Sequence, residues 1–87
     1  MLFDTAAFER GTDPILQFFT AEQAREIVNY KGEAKLRRRI EELAGKSNEG
    51  DLTEAERAEY EGYARASKLI ALLQAKARKL LDELARP

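Results

Sequence analysis

The stretch that decides the fold is TEAERAEYEGYARASKLIALLQAKARKLLDELA, which occupies residues 53–85 of the 87-residue sequence. It is made mainly of Ala, Leu, Glu, Lys and Arg, the residues with the best helix propensities. Thr53 and Glu56 have the spacing of a capping box, which marks the start of a helix. No proline follows before Pro87. The sequence therefore predicts one helix over about residues 54–85, on the order of 48 Å long at 1.5 Å per residue.

One face of this helix is apolar, with small side chains in its first half and large ones in its second. On a helical wheel the stripe contains Ala55, Ala58, Gly62, Ala66, Leu69, Leu73, Ala77, Leu80 and Leu84, with Ile70 and Leu81 at its edges. Small residues let another helix approach closely. We therefore expect the preceding helix to pack on the first half, with Ile40 over Gly62 and Leu43 near Ala58.

Upstream of this helix the sequence predicts three further segments. EAKLRRRIEELAGKSNEG indicates a helix over about 34–48 with Gly50 just past its end. Thr20 and Gln23 form another capping box, so a helix starts at Ala21, and Gly32 is expected to end it. Asp13 before Pro14 fits the N-cap of a short segment.

The predicted fold class is all-α, because no alternating β-branched run indicates a strand. The short NEGDLT connection favours an antiparallel helical hairpin. We expect this hairpin, with its long C-terminal helix and one or two short N-terminal helices, to form a single small helical domain over residues 1–87. Residues 1–12 are either one helical turn from Asp4 to Gly11 or a flexible end.

Composition argues against an enzyme. The chain has no histidine and no cysteine, so it lacks the commonest catalytic base and the thiolate metal ligands. Acidic residues at the start of the long helix are typical of a helix N-terminus, and we expect no catalytic residues, metal or cofactor. The start of the sequence does not read as a signal peptide, and no run is long enough for a membrane span. We expect a cytoplasmic protein with no membrane partner.

Two basic clusters raise the alternative of a nucleic-acid-binding accessory protein. They are Arg37, Arg38 and Arg39, and then Lys76, Arg78 and Lys79. Consecutive residues point about 100° apart on a helix, so the three arginines cannot all address one surface. We interpret them as solvated or paired, some with Glu59 or Glu61, and Lys76 to Arg86 as cations near a helix C-terminus. Nucleic acid is not the expected partner.

The second half of the apolar stripe needs a cover, which can come from the chain itself or from another chain. Phe18, Phe19, Ile27 and Val28 could cover it in a compact monomer. We expect instead a homodimer, antiparallel along the final helix, which would bury this half and set the acidic start of one helix against the basic end of the other. The predicted interface residues are Tyr60, Leu69, Ile70, Leu72, Leu73, Leu80 and Leu81.

The sequence resembles a group of short, largely uncharacterised bacterial helical proteins over about residues 19–81. Their pattern begins Leu-Thr-x-x-Glu-Arg-x-Glu-Tyr/Leu-Glu and ends Leu-Leu-x-Leu-Leu-Gln-x-Lys-Ala-Arg. The matching residues here are Leu52, Thr53, Glu56, Arg57, Glu59, Tyr60 and Glu61, then Leu69, Ile70, Leu72, Leu73, Gln74, Lys76, Ala77 and Arg78.

Some of those relatives look antitoxin-like or nuclease-associated, which implies a regulatory or accessory role. We therefore expect a small helical module that binds another protein of unknown identity, as the antitoxin-like or accessory partner of a toxin or nuclease.

Overall fold

A computed structural model describes residues 4–86 and shows a helical protein. Its elements are α1 (Thr5–Thr12), a 3₁₀ helix (Asp13–Phe18), α2 (Ala21–Asn29), α3 (Ala34–Glu49) and α4 (Glu54–Ala85). No strand occurs between residues 4 and 86, so the predicted all-α class is confirmed, as is the long C-terminal helix. The prediction for residues 1–12 falls partly on residues 1–3, which lie outside the described part of the chain.

The predicted capping boxes both form. The backbone N–H of Gln23 donates to Thr20 Oγ1 over 3.1 Å, and the N–H of Thr20 donates to Gln23 Oε1 over 3.0 Å. The same reciprocal pair joins Thr53 and Glu56, with both distances 3.1 Å. Each box satisfies two backbone donors that a helix start leaves without partners, which explains why α2 and α4 begin where the sequence indicates.

Gly50 ends α3 in the left-handed conformation, with φ of 74°. Its N–H donates to Ser47 O, and the N–H of Asp51 donates to Lys46 O, so the last carbonyls of α3 are satisfied. Gly32 also has a positive φ, but α2 ends earlier, at Asn29. The prediction that Gly32 ends the helix is therefore wrong by about one turn.

The N-terminal predictions need two corrections. Asp4 does cap α1, accepting a hydrogen bond from the N–H of Ala7 over 3.1 Å, but Gly11 lies inside α1 and does not stop it. Asp13 is not an N-cap, since its φ of −59° and ψ of −34° are helical. Its carboxylate instead contacts lysines of α4. The backbone of α1 runs directly into a 3₁₀ helix, which has Pro14 in its first turn.

Tertiary contacts divide the chain into two units, and α4 contributes to both. One unit is Lys31–Ala71, in which Leu43 is completely buried. The other takes in the chain up to Tyr30 and the chain from Leu72 onward. Its buried apolar residues are Ala24 and Ala77. Phe19, Ile27 and Val28 of this unit are half-buried, whereas Phe18 is 84% exposed. The cover expected from Phe18 is therefore absent.

The face of α4 that is turned inward differs from the predicted one. Its half-buried and buried residues include Glu56, Tyr60, Tyr63, Ile70, Gln74, Ala77 and Leu81. Over residues 56–70 this face is displaced by about one residue, or about 100°, from the predicted stripe, whereas Ala77 and Leu80 of that stripe are buried and half-buried as predicted. Ala55, Ala58, Gly62, Ala66 and Leu69 are all exposed as a result.

The predicted packing of Ile40 over Gly62 is therefore wrong. A Cβ atom placed on Gly62 would meet nothing within 4 Å. Ala58, the predicted neighbour of Leu43, is also exposed. The wheel selects the smallest and most apolar side chains, whereas α4 turns inward a face of tyrosines and amphipathic polar residues whose apolar stems can be buried.

None of the helices between residues 4 and 86 combines the length and the apolar character that a membrane crossing requires.

Candidate functional site

The charged residues at the start of α4 are held by α3. Arg39 Nε and Nη2 donate to the two carboxylate oxygens of Glu59 over 3.0 and 2.8 Å, a bidentate pair. Arg39 Nη1 also donates to Glu42 Oε1 over 3.0 Å. Hydrogen bonds from Arg39, and then from Tyr63, lower the pKa of Glu59 from 4.5 to about 2. The interpretation of Arg39 as a paired arginine is confirmed, with Glu59 as its partner.

Two further contacts complete this cluster. Lys46 Nζ donates to Glu56 Oε2 over 2.6 Å, and this hydrogen bond lowers the pKa of Glu56 and raises that of Lys46. The hydroxyl of Tyr63 donates to Glu59 Oε2 over 2.8 Å, which raises the pKa of Tyr63. Glu61, the other expected partner of the arginines, instead accepts from Arg65 on its own helix over 3.2 Å.

In the other unit, Asp13 binds two lysines of α4. Its Oδ1 lies 2.8 Å from Lys76 Nζ, and its Oδ2 accepts from Lys79 Nζ over 3.0 Å. The close contact with Lys76, and then the hydrogen bond from Lys79, lower the pKa of Asp13, and the hydrogen bond to Asp13 raises the pKa of Lys79. Lys76 is only 7% exposed and has Glu9 as a second carboxylate at 3.7 Å. Oδ1 of Asp13 is buried without a regular hydrogen bond, so the Lys76 charge compensates it.

Gln74 ties the end of α2 to α4. Its Nε2 donates to the carbonyl of Ile27 over 3.2 Å and to that of Tyr30 over 2.9 Å. The first of these carbonyls lies in the last turn of α2, where it also accepts from the N–H of Tyr30, and the second belongs to the C-cap. The N-terminal segments therefore cover part of the KLIALLQAKARKLL stretch through polar contacts of Gln74, Lys76 and Lys79. Sequence reasoning missed these contacts, because nothing in the pattern marks a buried lysine.

The ion pairs divide the predicted nucleic-acid contact residues into two groups, those bound by carboxylates and those exposed without such a partner in the described part of the chain. Arg39, Lys76 and Lys79 are engaged by carboxylates, and Lys76 is buried. Arg37, Arg38 and Arg78 are exposed. Lys76 and Lys79, which we predicted to be cations near a helix C-terminus, lie before the last turn of α4 and are paired with Asp13.

The predicted interface residues divide into two groups by exposure. Leu69 is 58% exposed, Leu73 43% and Leu72 38%, whereas Tyr60, Ile70, Leu80 and Leu81 are half-buried. Exposed leucines scattered singly over a surface are ordinary. Leu69 is different because it continues a row of exposed small residues along one side of α4.

We call this row the outer stripe and define it as Ala55, Ala58, Gly62, Ala66 and Leu69, all within the unit Lys31–Ala71. Its surface has a hollow. An open depression of about 250 Å³ is lined by Ala58, Glu61, Gly62 and Arg65. Gly62 contributes no side chain to it, and an added Cβ there would meet nothing within 4 Å. The outer stripe therefore carries an open depression in which Ala58 and Gly62 lie beside the Glu61–Arg65 ion pair.

Comparisons with known proteins returned no match: no family model fits the sequence, and neither the curated proteins nor the solved structures contain a significant relative.

Proposed function

We propose that this chain is a small helical interaction protein that binds another protein chain through the outer stripe of α4. The observation that carries the proposal is the exposure of Leu69 next to the hollow at Gly62. A row of apolar residues on one side of a helix is the usual docking surface for a second helix. The half of α4 in Lys31–Ala71 already uses its tyrosine side within the chain, so the outer stripe is a second, separate face.

The small core supports the proposal. Between residues 4 and 86 the buried apolar side chains are Ala24, Leu43 and Ala77, and two of them are alanines. A domain of this size gains only about 3–5 kcal/mol from one core and often relies on a partner for further stability. Association over the outer stripe would add apolar burial to the unit that has Leu43 as its buried apolar residue.

We propose that α3 and the start of α4 form the antiparallel hairpin that presents this stripe. The supporting observations are the order of the ion pairs and the turn. Lys46, late in α3, bonds Glu56, while Arg39, earlier in α3, bonds the later Glu59. The left-handed Gly50 reverses the chain between the two helices.

The biological role we propose is that of an antitoxin-like or accessory partner of a toxin or nuclease, acting in the cytoplasm and without catalytic activity of its own. This part of the proposal rests on the resemblance of residues 19–81 to the bacterial helical proteins described above. Nucleic-acid binding ranks second, because half of the basic residues proposed for it are held by carboxylates. Arg37, Arg38 and Arg78 are what remain for phosphate contacts.

The test is to purify the tagged protein from its own host in high salt and to compare it with two variants. Leu69→Glu places a charge on the outer stripe. Ala64→Glu adds the same charge at an exposed position on the other side of α4. We expect the wild type and Ala64→Glu to carry a stoichiometric protein companion, a second copy included, and Leu69→Glu to lose it. A wild-type chain that associates with nothing, itself included, would refute the proposal.

A further inference from the structure

We infer that the occupant of the outer stripe is a second copy of this chain, packed antiparallel, with Leu69 of each copy in the hollow of the other. The inference rests on the proposed function and identifies the partner at that site. It uses residues 58–69 of α4, all in the unit Lys31–Ala71.

The hollow has the geometry of a helix-packing hole. Its lining residues Ala58, Glu61, Gly62 and Arg65 follow the spacing i, i+3, i+4, i+7. Four residues in this arrangement form the hole that receives one side chain, the knob, from a facing helix. The hole is open to the surface, has a volume of about 250 Å³ and has no side chain at Gly62, so a branched aliphatic side chain can enter.

The same face carries a matching knob. Leu69 is seven residues after Gly62 and 58% exposed. At 100° per residue it points within about 30° of the mean direction of the four hole residues. If two copies pack antiparallel with their two-fold axis near Arg65, each Leu69 reaches the hole of the other copy. One symmetric contact therefore fills both holes and covers both leucines, as an isologous interface requires.

The charges agree with this register. Glu61 and Lys68 lie on the same flank of α4, next to the hole and the knob. In the antiparallel pair, Glu61 of one copy lies beside Lys68 of the other, and this happens twice by symmetry. Lys68 has no carboxylate within 4.0 Å in the described chain, so it is available for such a contact. Arg65 approaches its own copy at the axis, where Glu61 at 3.2 Å balances its charge.

A parallel pair lacks these features, because Leu69 would face Leu69 and the two holes would face each other, unfilled. The antiparallel arrangement therefore follows from the order of small and large residues along one helix. It also differs from the dimer expected from sequence: Glu56, Glu59, Lys76 and Lys79 are paired within the chain, so they do not direct the association.

The first experiment is sedimentation velocity of the whole chain at micromolar concentrations. The wild type should show a mass of twice 9.9 kDa that dissociates on dilution. Leu69→Glu removes both knobs, and Gly62→Leu fills both holes. Each should weaken dimerisation roughly 100-fold or more, because two leucine burials are lost per dimer. Ala64→Glu, with the same charge on the other side of α4, should dimerise like the wild type.

A second experiment reports on the register with a nearly native chain. The protein has no cysteine, so a single introduced thiol can cross-link only to another copy. Arg65→Cys, near the proposed axis, should form a disulfide dimer on mild oxidation, and Ala64→Cys should not. A wild type that stays monomeric, a dimer that survives Leu69→Glu, or equal cross-linking at both positions would overturn the inference. A monomer that still binds a different protein through Leu69 would overturn it and leave the proposed function intact.

Discussion

Each of the two units of the chain contains a different kind of polar contact. In Lys31–Ala71, α3 and the start of α4 are connected by a short turn and by partly exposed ion pairs such as Arg39–Glu59. In the other unit, the partners are far apart in sequence and include a buried lysine, with Asp13 paired to Lys76 and Gln74 bonded to Tyr30 O. The first unit thus depends mainly on contacts that follow from neighbouring residues and a short turn. The second depends on a few contacts between residues distant in sequence, and such a contact stabilises the unit only if both of its members are present.

The largest effect should come from the buried pair in the second unit. Asp13→Ala leaves the Lys76 ammonium buried with only the more distant Glu9 at 3.7 Å. An uncompensated buried charge is strongly unfavourable, so the urea midpoint should fall by more than for any other single change proposed here. Lys76→Met removes the charge itself and should cost less than Asp13→Ala, because Asp13 keeps Lys79.

Asp82→Ala is the matched control for this change. Asp82 is an exposed aspartate on α4, and no salt bridge within 4.0 Å involves it in the described chain. Its replacement should leave the midpoint within the scatter expected for surface positions. If Asp13→Ala is no more damaging than Asp82→Ala, then the two units do not differ in the way described above.

The next effect concerns the turn of the first unit. Gly50→Ala forces a residue with a Cβ into φ of 74°, which should cost about 1–2 kcal/mol in the free energy of unfolding. Gly45 gives the opposite control, because it lies inside α3 with nothing within 4 Å of an added Cβ. Gly45→Ala should gain about 0.5–1 kcal/mol from the better helix propensity of alanine. Chemical denaturation followed by circular dichroism measures both, and equal signs for the two changes would contradict the left-handed turn.

These local features are the ones that could be predicted from sequence. Both capping boxes, the left-handed Gly50 and the bounds of α3 and α4 follow from backbone donors, acceptors and φ angles, which depend on neighbouring residues. A side chain within four residues either supplies the needed hydrogen bond or does not, so the pattern can be recognised without knowing the tertiary structure.

The inward face of α4 and the anchoring of Asp13 could not be predicted in this way. A wheel ranks residues by hydropathy, so it placed Gly62 inside and gave no place there to Gln74 or Lys76. The chain instead buries Lys76, because Asp13 lies 2.8 Å away, and Asp13 is 63 residues earlier in the sequence. Partner choice over such a separation depends on the whole fold. The hollow at Gly62 was likewise missed, since the small residues were assigned to a contact within the chain.

Removing the capping-box threonine in each unit tests whether the two boxes contribute equally to the free energy of unfolding. Thr20→Ala and Thr53→Ala both remove the side-chain acceptor of a complete capping box. Each should cost about 1 kcal/mol in unfolding free energy. The two values should agree, because the boxes have the same hydrogen bonds with nearly the same lengths. Urea denaturation of the two variants and of Thr5→Ala, at an exposed position that is not a cap, gives the comparison. A much larger loss for Thr53→Ala would mean that Glu56, which also binds Lys46, needs the box to keep its position.

The smallest effect is the pH dependence that Glu59 gives the first unit. Its pKa is about 2 in the folded chain, where Arg39 and Tyr63 donate hydrogen bonds to it, against 4.5 as the ordinary value. Between these values the unfolded chain binds a proton that the folded chain does not, so stability falls as the pH is lowered from about 4.5 to about 2. The contribution is fully present above pH 4.5.

Arg39→Gln removes the largest cause of the shift and should make this decline shallower, whereas Arg38→Gln, at the adjacent exposed position, should leave it unchanged. Asp13 and Glu56 also have lowered pKa values, so both variants should still lose some stability at low pH. Thermal melts from pH 6 down to pH 2 at low salt measure the difference, and because the pair is partly exposed, added salt should reduce it. Parallel curves for Arg39→Gln and the wild type would mean that the bidentate pair does not form in solution. The contrast between a unit with surface ion pairs and a unit with a buried lysine would then be wrong.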